Sequence, residues 1–183
     1  MARRFPMLNG LILAGGQSRR MGQDKALMYL NGKTLLANAE AQLKAAGCQR
    51  VLISRNGPGF IRDIVVDGGP LAGVHAALRE PDMNGELLVL PVDMPQMTPA
   101  VLKTLCDAGR EHGRACYVGG RMLPFYLPVN EEITHRLHHF LTVEKERKVV
   151  RFLSAIDAIV LGEGDDAALW LNVNSPRDWP NEI

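Results

Sequence analysis

The strongest constraint on the fold is an alternation along the chain between short apolar runs and longer stretches with helical periodicity. Short apolar runs are typical of buried strands, whereas apolar residues recurring every three or four positions are typical of helices. We predict strands at residues 8–14, 50–54, 64–66, 86–91, 115–118, 123–128 and 156–161. We predict helices at residues 34–46, 70–79, 99–112, 130–140 and 144–153. Because parallel strands need crossover helices, the alternation predicts an α/β fold with a mostly parallel central sheet.

Length and composition predict one soluble domain. The chain has 183 residues, close to the usual size of about 150 residues per domain, so we expect a single domain over residues 1–183. With 46% hydrophobic and 22% charged residues it resembles ordinary globular proteins. No apolar stretch approaches the ~20 residues that span a bilayer. The net charge of +1 provides no global field for nucleic acid or a membrane, so any anion must be bound locally.

The number and spacing of the cysteines favour a reducing compartment. Cys48, Cys106 and Cys116 have neither the spacing of a CxxC metal site nor the even number of a disulfide framework. We therefore expect free thiols and a cytoplasmic location, because disulfides are rare in reducing compartments.

The segment from Leu13 to Lys25, LAGGQSRRMGQDK, leaves the first predicted strand and has the composition of an anion-binding loop. Gly15 and Gly16 lack Cβ atoms, so their backbone N–H groups can approach phosphate oxygens closely. Arg19, Arg20 and Lys25 supply positive charge for a triphosphate. The glycine spacing matches neither GxGxxG nor GxxxxGK[ST], which disfavours a dinucleotide fingerprint and a P-loop. The segment predicts a phosphate site beyond the carboxyl end of the first strand.

This loop resembles the pattern LAGGxSxRMGxDK of the nucleotidyltransferases that modify the molybdenum cofactor, in particular the molybdenum-cofactor guanylyltransferase family. The resemblance continues through GPLAG at 69–73, LPVDMP at 90–95 and NVNSP at 172–176. It covers about residues 8 to 178, with the motifs in the family's order. It implies a three-layer α/β/α Rossmann-like nucleotidyltransferase fold and an enzyme that transfers GMP from GTP to the phosphate of molybdopterin, releasing pyrophosphate.

The resemblance also implies roles for individual residues. The expected GTP contacts are Leu13, Ala14, Gly15, Gly16, Lys25, Ser54, Asp67 and Asp93. The expected catalytic residues are Arg20, Lys25 and Asp93, the last of them as the Mg²⁺ ligand. Molybdopterin is expected to contact Asn172 and Asn174, whose amides point the same way in an extended chain. Asx turns before Pro176 are the alternative role of these two asparagines.

Asp93 follows the predicted strand 86–91, which would place its carboxylate beside the first loop if the two strands are neighbours. Magnesium is commonly held by one or two carboxylates together with substrate phosphates, so one aspartate can suffice. The alternative is that Asp93 caps the helix that begins near Pro99, although it stands far from that start.

Asp67 precedes Gly68, Gly69 and Pro70, an ordinary turn composition. As a nucleotide contact it could accept hydrogen bonds from the ring N–H and exocyclic amine of guanine, or from ribose hydroxyls. The sequence does not choose between these ligands. Ser54 stands where the family often has Asn, and the nearby Asn56 could take over that contact.

The family-like motifs contain no histidine and no nucleophilic Ser or Cys beside a base. Nucleotidyl transfer requires in-line attack on the α-phosphate and neutralisation of developing charge, without protein covalency. A phosphate monoester is already ionised near neutral pH, so a molybdopterin phosphate would need no general base.

Three alternatives remain open at this stage. One is a molybdenum-cofactor cytidylyltransferase of the same fold. The first loop of that relative tends to read LAAG, whereas the pair Gly15 and Gly16 in this chain favours GTP as the substrate. The others are a sugar-phosphate nucleotidyltransferase, usually a longer chain, and a non-enzymatic molybdopterin-binding accessory protein. For the guanylyltransferase, we also expect transient contact with proteins that deliver molybdopterin or mature molybdoenzymes, and no nucleic-acid or membrane partner.

Outside these motifs, the run HRLHH contains His135, His138 and His139 at helical spacing. Histidines three or four positions apart can ligate a metal, but the HExxH pattern is lacking, so we predict surface residues. We predict that Trp170 and Trp179 pack around the C-terminal segment rather than stack on a base.

Overall fold

The computed structural model describes residues 6–15, 25–30, 32–55, 59–162 and 164. The strands are β1 Leu8–Leu13, β2 Tyr29–Leu30, β3 Lys33–Thr34, β4 Arg50–Ser54, β5 Gly85–Pro91, β6 Cys116–Val118, β7 Arg121–Val129 and β8 Ile159–Leu161. The helices are α1 Leu35–Ala45, α2 Pro70–Leu78, α3 Pro99–His112, α4 Glu131–Thr142 and α5 Val149–Ala155, with a short 3₁₀ turn at Lys25–Leu27. Helices and strands alternate as predicted.

Six strands form the central sheet in the order β4-β1-β5-β7-β6-β8, and β2 and β3 pair separately. The pairs β1 with β4, β1 with β5 and β6 with β8 are parallel, so within this six-stranded sheet of the described residues only β7 runs against its neighbours. The reversal has a local cause. Gly119 and Gly120 are the whole connection between β6 and β7, and so short a connection can join only antiparallel strands.

The helices cover both faces of the sheet. Side chains of α1 and α3 pack with Leu88 and Leu90 of β5 on one face, whereas α2, α4 and α5 pack with Leu87 and Val89 on the other. Because both faces of β5 are buried, its residues 87–91 are continuously apolar rather than alternating. The three-layer α/β/α arrangement with a mostly parallel sheet confirms the predicted fold class.

Helix boundaries follow local signals closely. The Thr98 side chain accepts a hydrogen bond from the N–H of Val101, Pro99 occupies the first turn, and Gly113 ends α3 in the left-handed conformation. The prediction of 99–112 is therefore confirmed at both ends. The side chain of Asn130 likewise caps α4, with 2.8 Å between its Oδ1 and the N of Ile133, but that helix runs two residues beyond its predicted end.

Two predicted elements were wrong. Residues 64–66 form no strand; among the described residues, the side of β4 that faces away from β1 pairs through a single bridge between Ser54 and Ile61. Val66, the last residue of this segment, is 81% exposed. The helix predicted at 144–153 begins only at Val149, after Lys145 has adopted a left-handed φ of 54°.

The cysteines are free, as predicted, and all three are buried. Burial raises the pKa of the Cys48 and Cys106 thiols to about 12, so both stay protonated at neutral pH. In the described part of the chain, no helix is both long and apolar enough to cross a membrane.

Candidate functional site

The carboxyl ends of β1, β4 and β5 meet at one edge of the sheet. Leu13 pairs with Ser54 on one side and with Pro91 on the other. Just beyond the strands, the Ala14 N–H donates to the Ser54 carbonyl at 2.9 Å, and the Val92 N–H donates to the Leu13 carbonyl at 3.1 Å. These bonds hold the three strand ends together, at the edge where open α/β sheets bind ligands.

Gly15 is the second residue beyond β1 and is exposed. A Cβ built on it would meet only the Ser54 carbonyl oxygen, at 3.9 Å, among the described residues, and its φ lies outside the left-handed region. Neither backbone strain nor crowding by those residues therefore explains a glycine here. Close approach of a ligand to the backbone is another reason for which a position takes glycine.

Asp93 lies two residues past Pro91, the last residue of β5, and is partly buried. Because β1 and β5 are neighbours, it stands at the same edge as Gly15, which is the placement predicted. The alternative role as a helix cap is wrong, because Thr98 caps α3.

The loop that carries Asp93 is anchored on both sides. Met94 and Met97 are almost completely buried beneath it. The Asn38 side chain of α1 donates from Nδ2 to the Pro95 carbonyl at 3.1 Å. Buried methionines and this long-range hydrogen bond restrict the loop, and a restricted loop is what a ligand-binding carboxylate requires.

Ser54 ends β4 at this edge, but its side chain is buried under α2. A Cβ on Gly73 of α2 would lie 2.6 Å from the Ser54 Oγ and 2.9 Å from the Leu13 Cδ2. Gly73 is therefore required for α2 to lie this close to the strand ends. The sequence prediction placed Gly73 in a motif and missed this packing role, although a glycine inside a helix was the available signal.

Asp67 stands three residues before the first residue of α2, Pro70, and is exposed. Its φ of 59° is left-handed, a conformation that non-glycine residues adopt uncommonly and Asp more readily than most. Its carbonyl accepts a hydrogen bond from Nη1 of Arg147 at 3.3 Å. Sequence reasoning missed Arg147, which lies 80 positions away and belongs to none of the quoted motifs.

Several predicted site residues lie outside the described residues. They are Gly16, Arg20, Asn56, Asn172 and Asn174, and the two tryptophans, Trp170 and Trp179, lie outside as well. Lys25 begins the short 3₁₀ turn Lys25–Leu27. Among the predicted residues, the structure brings Leu13, Ala14, Gly15, Ser54 and Asp93 to one edge and places Asp67 just before α2.

The predicted surface histidines are exposed, and the described part of the chain has no cluster of three or more metal-ligating side chains. His138 nevertheless contacts a histidine that the sequence did not single out. Its Nδ1 lies 3.0 Å from Nε2 of His75, and the two rings stack. His75 is 1% exposed, and its Nδ1 is buried with no hydrogen-bond partner among the described residues.

This pair predicts a pH-dependent stability. Burial, and after it the proximity of His138 and Arg79, lowers the pKa of His75 below its ordinary value. The unfolded chain therefore takes up a proton that the native state resists, starting near the ordinary histidine pKa of about 6.5. The free energy of unfolding should be fully retained above that pH and fall as the pH drops below it.

Urea denaturation between pH 8 and pH 5, roughly the range in which histidines titrate, measures this dependence. His75→Leu should lose less stability on acidification than the native protein does. His135→Leu, which removes an exposed histidine of α4, should keep the native pH dependence. Equal slopes for the native protein and His75→Leu would contradict the prediction.

Comparison with known proteins assigns the class of this protein, which is that of the nucleotidyltransferases. The chain belongs to the family of MobA-like NTP transferase domains, which matches residues 10–159. The match spans β1 to the start of β8 and so includes the described strand ends.

Individual relatives agree with the family. The chain is 34% identical to a molybdenum cofactor guanylyltransferase from Xanthomonas euvesicatoria over 178 residues, covering 95% of this chain and 93% of the relative. It is 30% identical to a molybdenum cofactor guanylyltransferase from Yersinia pestis, covering 94% and 93%. Molybdopterin-guanine dinucleotide biosynthesis protein A from Archaeoglobus fulgidus has a similar structure, with a TM-score of 0.73 at 25% identity and coverage of 93% and 94%.

Proposed function

We propose that this protein transfers GMP from GTP to the phosphate of molybdopterin, forming the guanine dinucleotide of the cofactor and pyrophosphate. The observation that carries the proposal is the convergence of Gly15 and Asp93 at one sheet edge, in a chain whose relatives are named molybdenum cofactor guanylyltransferases. An open glycine backbone suits a triphosphate, and a nearby carboxylate suits the metal that accompanies one.

We assign the triphosphate to the loop that follows β1. The Gly15 backbone, with Gly16, would hold the phosphates, and Arg20 and Lys25 would neutralise the charge that develops as pyrophosphate leaves. Asp93 would hold Mg²⁺, because a partly buried carboxylate on an anchored loop fits the oxygen ligands that Mg²⁺ prefers. When bound, that ion would supply positive charge to the triphosphate.

The acceptor end of the reaction needs orientation more than activation. A phosphate monoester is already ionised near neutral pH, so its oxygen can attack the α-phosphorus in line without a protein base. We assign this acceptor to Asn172 and Asn174. Guanine is assigned to Asp67, whose exposed carboxylate can accept from both the ring N–H and the exocyclic amine.

The three buried, unpaired thiols support a reducing cytoplasm as the location.

Nucleotide binding tests the guanylyl assignment. Thermal denaturation with saturating GTP, CTP, ATP or UTP, each with Mg²⁺, should show the largest stabilisation with GTP. A ligand at 100 times its Kd adds about 2.7 kcal/mol to the free energy of unfolding, so the ranking is measurable. Turnover with molybdopterin should then release pyrophosphate with GTP. Equal or greater stabilisation by CTP would instead favour a cytidylyltransferase.

A further inference from the structure

The connection between α4 and α5 holds Arg147 beside Asp67, the residue to which we assign guanine. Glu146 accepts hydrogen bonds from the backbone N–H groups of Arg147 at 3.3 Å and Lys148 at 3.4 Å. Its carboxylate also accepts from Nη1 of Arg151 in α5 at 2.8 Å. A single carboxylate thereby joins the turn to the first turns of the next helix, which orients the residue between them.

Arg147 reaches from this turn to the segment before α2. Its Nη1 donates to the main-chain carbonyl of Asp67 at 3.3 Å. The Asp67 carboxylate takes no part in this hydrogen bond. A donor on the carbonyl constrains the peptide group that follows Asp67. It therefore constrains the backbone from which the Asp67 side chain projects.

Both sides of this contact carry uncommon backbone conformations. Asp67 has a φ of 59° and Lys145, two residues before Arg147, has a φ of 54°. Left-handed conformations at non-glycine residues persist only where the surroundings hold them, and they concentrate at ligand sites. Asp67 itself is exposed, so few packed neighbours can hold it. A hydrogen bond from another element is then a natural means of doing so.

We propose that Arg147 is a positioning residue for guanine specificity: by holding the Asp67 carbonyl it aims the Asp67 carboxylate at the base. This inference rests on the proposed function, in which Asp67 contacts guanine. It predicts a defect in base discrimination, with no loss of fold and no direct effect on the acceptor. The relevant comparison is GTP against ITP, because inosine lacks the exocyclic amine that Asp67 would accept from.

The test measures equilibrium binding of GTP and ITP with Mg²⁺ and without acceptor. Asp67→Asn should reduce the preference for GTP over ITP by about 10-fold or more, since it weakens a hydrogen bond to a charged acceptor. Arg147→Gln should reduce the preference by roughly 3- to 10-fold, as expected of an indirect contact. Arg147→Lys keeps a positively charged donor on a long side chain, whereas glutamine offers only a shorter, neutral one, so lysine should restore part of the preference. Arg136→Gln, which neutralises an exposed arginine on α4, should change nothing.

The double variant separates positioning from other roles. If Arg147 acts through Asp67, Arg147→Gln should have no further effect on the GTP preference in the Asp67→Asn background. Melting temperatures of the single variants should stay within about 2 °C of the native value, because both side chains are exposed.

The possible failures are distinguishable. An unchanged preference in Asp67→Asn would refute the base contact of the proposed function, and the inference with it. A lowered preference in Asp67→Asn with a native preference in Arg147→Gln would overturn the inference alone. A defect of Arg147→Gln confined to the KM for molybdopterin would also overturn it, by placing the arginine on the acceptor.

Discussion

Asp93→Ala is expected to abolish pyrophosphate release while leaving the fold intact. Asp93 lies two residues beyond the end of β5, the strand that pairs with β1, on an anchored loop, and it is the residue to which we assign Mg²⁺. Without this carboxylate Mg²⁺ would lose its protein ligand, and the triphosphate would lack the positive charge of the ion as the transition state forms. Removing one such electrostatic element commonly lowers kcat by about 100- to 1,000-fold, and loss of a metal ligand should cost at least as much. Pyrophosphate release from GTP with molybdopterin and Mg²⁺ measures the effect.

A matched control separates chemistry from stability. Glu111→Ala removes an exposed carboxylate from α3 and should retain native turnover. Both variants should unfold at nearly the native temperature, because neither carboxylate is fully buried. Substantial turnover by Asp93→Ala would refute the assignment of this residue. Native protein that binds GTP and molybdopterin but releases no pyrophosphate would instead support an accessory role without catalysis.

Of the variants discussed, Arg110→Met is expected to cause the largest decrease in the free energy of unfolding. Its site lies at the edge of the sheet opposite to Asp93. Glu86 lies near the start of β5 and is only 2% exposed. Arg110 of α3 donates two hydrogen bonds to its carboxylate, at 2.6 and 2.9 Å, and the Tyr126 hydroxyl donates a third. The hydrogen bond to Glu86 raises the pKa of Arg110, so the guanidinium stays charged. Removing it leaves a buried carboxylate without its counterion, which typically costs about 3–5 kcal/mol.

The free energy of unfolding from urea denaturation at neutral pH measures this loss. Arg114→Met provides the control, because Arg114 pairs with Asp157 at 3.2 Å while both side chains are exposed. Exposed pairs contribute about 0–1 kcal/mol, so this variant should remain close to native. If Arg110→Met were no more destabilising than Arg114→Met, the stability of the fold around the buried Glu86 carboxylate would not depend on Arg110.

The elements that the sequence predicted well are those with local signals. The ends of α3 depend on Thr98, Pro99 and Gly113, which are adjacent to the helix and act through neighbouring backbone groups. The position of Asp93 was predictable for a related reason. A polar residue directly after a buried apolar strand must emerge at the sheet edge, whichever strand lies next to it.

The errors arise where an element needs a distant partner. Residues 64–66 are apolar and β-branched, yet no strand of the described residues pairs with them, and a sheet forms only where backbone groups find partners. The late start of α5 follows from Glu146, whose carboxylate bonds to the turn before the helix. Neither outcome can be read from apolar periodicity, because periodicity records which side chains seek burial and not which backbone groups find partners.

The sequence by itself determined the α/β class, the ends of α3, the family resemblance and the residue types that suit a triphosphate and Mg²⁺. Only the tertiary structure decided that β1 lies between β4 and β5, that Gly73 lets α2 approach Ser54, and that Arg147 reaches Asp67. The division has a physical reason. Caps, turns and amphipathic stretches depend on interactions within a few residues. Strand order and close helix approach depend on packing between segments far apart in the chain, as the 80 positions between Asp67 and Arg147 illustrate.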